Sequence, residues 1–275
     1  MPFWLLRLKA DGIRILLYYV IGYRKKVVMT NLRNSFPQLT TKELKKIAWK
    51  YYLNIADLIV EVIKINGITE KQIRERLVIK NFEVAEKYLN EGRSFIACTG
   101  HIGSWEWLGV RLSLDRRFTT FAVVKPLTDP FFDKWIVSMR MKFQQTGKID
   151  YRNVLKEMIR HKNSVNMTMI AGDQTPTDTE INYWTPFLNQ ETPVFLGTEK
   201  ISKIMDLPVI FFDNQRVKRG FYEVELKLIT DKPKETAEYE ITEAHVRLLE
   251  RTINNHPDNW LWSHRRWKHK RSDHN

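Results

Sequence analysis

Short apolar runs alternate along this chain with longer stretches in which apolar and polar positions mix. Ser94–Thr99 (SFIACT) is the clearest run and predicts a buried strand; Val78–Lys80, Phe118–Val123, Val165–Ile170, Pro208–Asp213 and Phe221–Leu228 predict further strands. Thr40-x-x-Glu43 has the spacing of a capping box and predicts a long helix over Thr41–Ile65. Mixed stretches predict helices near Phe82–Asn90, Gly103–Leu114, Pro130–Gln144, Tyr151–Arg160 and Ala237–Asn255. Pro176 and Pro186 predict an irregular loop over Ala171–Glu191. Thr192 with Pro193 reads as an N-cap and first helical residue, opening a helix to Met205. Strands alternating with helices predict an α/β fold with a largely parallel central sheet flanked by helices, an antiparallel last pair being an open option. No internal repeat or linker divides the body. The expected organisation is an amphipathic helical extension with a basic segment over residues 1–40, then one domain over 41–275.

Residues 1–23 (MPFWLLRLKADGIRILLYYVIGY) set Phe3, Trp4, Tyr18, Tyr19 and Tyr23 among Leu, Ile and Val. Arg7, Lys9, Asp11 and Arg14 interrupt the run, so its longest apolar stretch, Ile15 to Ile21, is too short to span a bilayer. Amphipathic rings beside a basic flank (Arg24, Lys25, Lys26) suit a helix lying in a membrane interface, where cations meet anionic lipid. Charge sharpens this reading. The 275 residues carry a formal +13, and the excess sits at the ends: residues 1–50 hold 11 Lys and Arg against 2 Asp and Glu, and residues 264–275 hold 5 against 1. The stretch between balances at 29 against 29. A neutral body with basic ends points to an anionic partner met by those ends. One cysteine, Cys98, excludes a disulfide framework and a cysteine-built zinc site; inside SFIACT it reads as a small core residue.

Chemistry concentrates just after that strand, at Gly100-His101-Ile102-Gly103-Ser104-Trp105-Glu106. Five residues on a continuous helix turn a side chain by about 500°, so His101 and Glu106 meet only if His101 sits in the turn and Glu106 in the first helical turn behind it. The flanking glycines permit such a turn. The imidazole then stands at the carboxyl end of a buried strand, where open α/β sheets bind ligands. A carboxylate on one ring nitrogen leaves the other free to take a proton from a hydroxyl, so His101 is expected to be a general base oriented by Glu106.

The dyad is one of an ordered series. Tyr23-Arg24-Lys25-Lys26-Val27-Val28 leads to Asn31-Leu32 and Phe36-Pro37, and Glu61 lies in the long helix. GHIGSWEW is followed by Lys125-Pro126-Leu127, Pro130 with Asp133, and Arg140 near Phe143. Gly172-Asp173-Gln174 precedes Thr185-Pro186-Phe187, and Trp260-Leu261-Trp262 runs into His264-Arg265-Arg266-Trp267-Lys268. From about residue 14 to 270 the series resembles the bacterial lipid A biosynthesis (late) acyltransferases of the lysophospholipid acyltransferase superfamily, with His101–Glu106 as the H-x4-E signature. The resemblance implies a membrane-associated enzyme of the inner membrane's cytoplasmic face that moves a fatty acyl chain from acyl carrier protein to a hydroxyl of a lipid A precursor. It implies direct attack by that hydroxyl on the thioester with no covalent acyl-enzyme, no cofactor and no metal. The chain has no G-x-S-x-G elbow. Lys125 and Arg140 match basic positions of the family and are expected to contact phosphate or sugar acid; Asp173 and Gln174 occupy its acidic substrate-binding loop; the amides opening the helix at Gly103 and Ser104 are expected near the oxyanion. Ser104 stands where many relatives carry Asn, Lys125 where many carry Arg, and Asn189 where Gly is usual. Relatives usually begin with a fuller hydrophobic anchor. Arg216, past the strand ending at Asp213, reads as solvated.

Two other classes fit less well. His264–Arg271 (HRRWKHKR) has the basic and aromatic character of a nucleic-acid contact, but the body carries no nucleic-acid motif and the apolar N-terminus is left without a use. A metallohydrolase using His101, Glu106 and Asp173 would have one histidine and no H-E-x-x-H or H-x-x-x-H spacing. Within the superfamily, a lysophospholipid or other lipid acceptor and an acyl-CoA donor remain alternatives, since charge alone does not choose between acidic carrier protein and anionic lipid.

Overall fold

The computed structural model describes residues 1–126, 129–140, 142–143 and 147–273. Leu127, the end of the Lys125-Pro126-Leu127 motif, and Gln144, the expected end of a helix, lie outside the described residues. The chain opens with α1 (Phe3–Ile15), a single π turn (Leu16–Val20), α2 (Lys25–Ser35), α3 (Thr41–Ile65) and α4 (Glu70–Arg76). There follow β1 (Leu77–Ile79), α5 (Glu83–Asn90), β2 (Phe95–Thr99), α6 (Trp105–Leu112), β3 (Thr119–Val124), α7 (Pro130–Arg140), β4 (Gly147–Asp150), α8 (Val154–Arg160) and β5 (Asn166–Ala171). The remainder comprises β6 (Trp184–Phe187), β7 (Gln190–Pro193), α9 (Gly197–Met205), β8 (Val209–Lys218), β9 (Phe221–Thr230) and α10 (Glu240–Asn255).

Seven strands form one sheet in the order β1-β9-β8-β2-β5-β3-β4, parallel throughout except for the β8–β9 hairpin. The expected α/β class and antiparallel last pair are both present. All five residues of β2 are buried, as a strand covered on both faces must be. Ala97 and Phe95 face one core with α6 and α7 residues such as Trp107 and Met139. Ile96 and Cys98 face the other, with residues of α8, α9 and α10 such as Met158, Ile201 and Leu249. Cys98 is indeed a core residue, its thiol pushed up by burial.

The long helix starts where its capping box predicts and covers the expected Thr41–Ile65: Thr40 Oγ1 accepts from the Glu43 amide and Glu43 caps the Thr40 amide in return. The N-terminal segment is tied to it. Leu6 and Ala10 of α1 pack on Ala56 and Val60 of α3. The opposite side of α1 carries Trp4, Leu8 and Ile15, all exposed, with Tyr19 and Val20 beyond. Among the described residues, no helix is long and apolar enough to cross a membrane.

Three expectations are corrected: the irregular loop over Ala171–Glu191, which holds β6 and the start of β7, the helix opened by Thr192 and Pro193, and the helix starting at Tyr151. Thr192 and Pro193 do not open a helix; they end β7, paired antiparallel with β6, and α9 begins at Gly197. The hairpin turns at Leu188 and Asn189, both left-handed (φ 49° and 61°), the geometry of a tight two-residue connection. Pro186 and Pro193 are tolerated because a two-stranded ribbon consists of edges. The expected helix at Tyr151 begins with a 3-10 turn and becomes α-helical at Val154. Short α2, α4 and β4 are additions the sequence pattern does not anticipate.

Candidate active site

The loops that follow β2 and β5 lie side by side because those strands are parallel neighbours, with Thr99 opposite Ala171. One carries Gly100-His101, the other Gly172-Asp173-Gln174. Gly100 lets the two loops approach closely: a Cβ would lie 2.7 Å from Leu249 Cδ1 and 3.3 Å from the Asp173 carboxyl, so both side chains would have to shift. The turn after His101 is pinned from two sides, by Asn214 donating to the Ile102 carbonyl (3.1 Å) and by the Gly103 amide donating to the Asn259 carbonyl (3.2 Å). Gly103 holds φ +57°, which admits glycine readily.

The imidazole is oriented by Asp173, not by Glu106. His101 Nδ1 lies 2.7 Å from Asp173 Oδ1, and the His101 amide donates to Asp173 Oδ2 at 2.8 Å. The Trp260 indole N–H donates to that same Oδ2 at 2.8 Å. Asp173 is almost fully buried, which alone would raise its pKa; the charge of His101 and three donated hydrogen bonds overcome burial and hold the carboxyl well below the usual range. Burial works against a charged His101, but the Asp173 carboxylate and its hydrogen bond, with a further push from Glu106, raise its pKa above the ordinary 6.5. Carboxylate on Nδ1 leaves Nε2 toward the cleft, where the Gln174 amide stands 3.4 Å away, a weak contact that a substrate hydroxyl can replace. Trp105 packs edge-on against the ring.

Glu106 does sit in the first turn of α6 as expected, yet among the described residues no hydrogen bond joins it to His101. It is gripped instead by Arg140 of α7, Nε to Oε2 at 2.8 Å and Nη2 to Oε1 at 2.6 Å. A planar guanidinium offers two parallel donors to a carboxylate, and that match outcompetes a single ring nitrogen. Glu106 therefore reaches His101 through its field.

His101, Glu106, Lys125, Arg140 and Gln174 all line one cleft of about 980 Å³, large even for a small-molecule site. Gly103 and Ser104 do not: Ser104 is fully buried beneath the turn. Lys125 stands at one rim above Tyr151. Arg24, Arg265 and Lys268 stand on the cleft wall, the last two brought there by the C-terminal arm, which is held by the Thr175 amide donating to His264 Nε2 at 3.0 Å. Burial pushes His264 down to about 4, so it is neutral and able to accept that bond. Arg216 is not solvated: it pairs with buried Asp57 at 2.6 Å.

Over residues 1–269 the sequence matches the family model for bacterial lipid A biosynthesis acyltransferases. The chain belongs to that family. It is accordingly an acyltransferase, and the family's acceptor is a lipid A-type molecule. No curated protein matches the chain. For an acyltransferase, the site offers a polarised imidazole, an uncapped α6 N-terminus beside it, and apolar space on either side. Asp173's part was hidden in the sequence as one of several candidate binding residues; the signal that finds it is the adjacency of β2 and β5, which brings residues 72 positions apart together.

Proposed function

We propose that this acyltransferase transfers a fatty chain from acyl carrier protein to a hydroxyl of a lipid A precursor, working as a peripheral enzyme on the cytoplasmic face of the bacterial inner membrane. The observation that carries the reading is the Asp173–His101 pair opening onto a large, partly apolar cleft. Nδ1–H donates to Asp173, so Nε2 presents its lone pair to the acceptor hydroxyl. As Nε2 takes the hydroxyl proton, the oxygen attacks the thioester carbonyl and a tetrahedral oxyanion forms. The first amides of α6, which Ser104 leaves without a side-chain cap, supply donors to that oxygen. The oxyanion collapses, the C–S bond breaks, and the departing thiolate takes the proton back from the imidazolium. Ester and free thiol leave; the enzyme returns unchanged. Asp173 and the more distant Glu106 both favour the imidazolium, and Glu106 also fixes Arg140 on the cleft wall.

Lys125 and Arg140, which both line the cleft, meet the acceptor's anionic groups on this reading. Arg24, Arg265 and Lys268 give the cleft a basic rim suited to an acidic carrier protein. Residues 1–40 are the membrane-facing part: the exposed side of α1 bears Trp4 (64% exposed), Leu8 and Ile15, and residues 1–50 hold 11 Lys and Arg against 2 Asp and Glu.

The test is mass spectrometry of membrane lipids from cells with and without an active copy, using His101→Ala as control. A mass gain of one acyl chain confined to the lipid A fraction, absent with the variant, is the expected result. A gain confined to phospholipids would replace the acceptor, and full transfer by His101→Ala would remove the base.

A further inference from the structure

The cleft continues over the carboxyl edge of the sheet onto both of its faces. On the α6–α7 side it is lined by Gly109, Ala122, Ile136, Val137 and Met169; on the α8–α9 side by Val154, Leu155, Ile170, Phe195 and Ile201. Alternation along the strands makes this division: Ala122 pairs with Met169 and both turn to the α6–α7 core side, whereas Ile170 turns to the other. His101 stands on the ridge between the two lobes.

Gly109 is the informative residue. It lies inside α6, where glycine is a poor choice relative to alanine because it adds backbone freedom and packs nothing. Its φ is not left-handed, and a Cβ built on it meets nothing within 4 Å among the described residues. Neither backbone conformation nor packing against the described residues requires glycine there. Gly109 lines the cleft one turn beyond Trp105 and Glu106, on the same side of α6.

We infer that the lobe along α6 holds the donor's fatty acyl chain and that Gly109 sets the length of chain accepted, while the lobe on the opposite sheet face holds a hydrocarbon chain of the acceptor. The assignment rests on the reaction proposed above. The thioester carbonyl has to lie against the first α6 amides, beside His101, so its chain runs on along the same helix and passes Gly109. The acceptor hydroxyl approaches Nε2 from the other side of the ridge, leaving the α8–α9 lobe for its own chain.

The experiment compares wild type, Gly109→Ala, Gly109→Leu and Leu155→Ala on a series of acyl thioesters from eight to eighteen carbons, and measures binding of a fluorescent polyunsaturated fatty acid by each protein carrying His101→Ala as well. Gly109→Leu should cut kcat/KM for the longest donor that wild type uses by about 10–100-fold and shift the optimum to shorter chains, each displaced methylene being worth about a factor of four. Gly109→Ala should shift the optimum in the same direction by less, with a melting temperature at or above wild type, so that loss of fold cannot imitate the effect. Leu155→Ala should keep the donor optimum and change KM for the acceptor. An unchanged donor optimum in both Gly109 variants, or a donor optimum that moves with Leu155→Ala instead, overturns the assignment. If wild type acylates no lipid A precursor, the proposed function fails, and the fatty-acid probe still decides this one: unaltered probe binding in Gly109→Leu counts against an acyl lobe at Gly109.

Discussion

His101 and Asp173 form a pair in which each group alters the other's titration, and its consequence for catalysis has a definite sign. A general base works when neutral, so turnover should rise with pH through an inflection above 6.5, because the pair raises the imidazole pKa. The stabilisation that charged His101 draws from Asp173 runs the opposite way: it is fully present below the histidine's unfolded value and is lost as pH climbs through the raised one. Asp173→Asn takes away the negative charge while keeping the shape. The inflection of the pH–rate profile should move to lower pH, and kcat should fall by about 10²–10⁴-fold as the tautomer is no longer fixed. A profile that stays in place after Asp173→Asn would return the orienting role to Glu106. His101 itself was legible in the sequence, since glycines bracket it directly after a buried apolar run. Its partner was not, because spacing along the chain says nothing about which strand ends become neighbours. Glu106 drew attention by proximity in sequence, and Arg140's two-pronged grip, which depends on how α7 lies over α6, redirected it.

At the level of elements, α1 is a packed part of the structure. Arg219, in the β8–β9 turn, donates to Asp57 of α3 at 2.8–3.0 Å and to Asp11 of α1 at 3.1 Å, and Arg216 donates to the same Asp57. Asp57 is buried, so it compensates two largely buried guanidinium groups at once. Asp57→Ala leaves both without that partner and should cost roughly 3–5 kcal/mol in urea unfolding. A loss under about 1 kcal/mol would mean that solvent reaches these cations. Elements with local signals were readable: α3 through Thr40 and Glu43, β2 through its unbroken apolar run. The β6–β7 hairpin was not, because Leu188 and Asn189 adopt left-handed backbone without a glycine to announce it, and Thr192's hydroxyl, which looks like a helix cap, accepts from the Trp267 indole at 2.7 Å. β4 has a single buried residue and so almost no apolar pattern to read.

Across the whole molecule, basic ends and a neutral body meet at one cleft, whose wall gathers Arg24 from the N-terminal part and Arg265 and Lys268 from the C-terminal arm. The outward side of α1, with Trp4, Leu8 and Ile15, is formed before any surface is encountered, because Leu6 and Ala10 already fix the inward side against α3. The membrane contact proposed above then requires no coil-to-helix transition. Far-ultraviolet circular dichroism should be unaltered when anionic vesicles are added, while tryptophan emission shifts to the blue and Trp4→Ala weakens the attachment; a gain in helical signal on adding vesicles would contradict a ready-made α1. Attachment without folding also spares the entropy of ordering a segment. On the proposed membrane-bound reading, arrival and departure therefore involve no folding step, and the dwell time should follow the lipid's charge and the surrounding salt instead of an internal refolding clock.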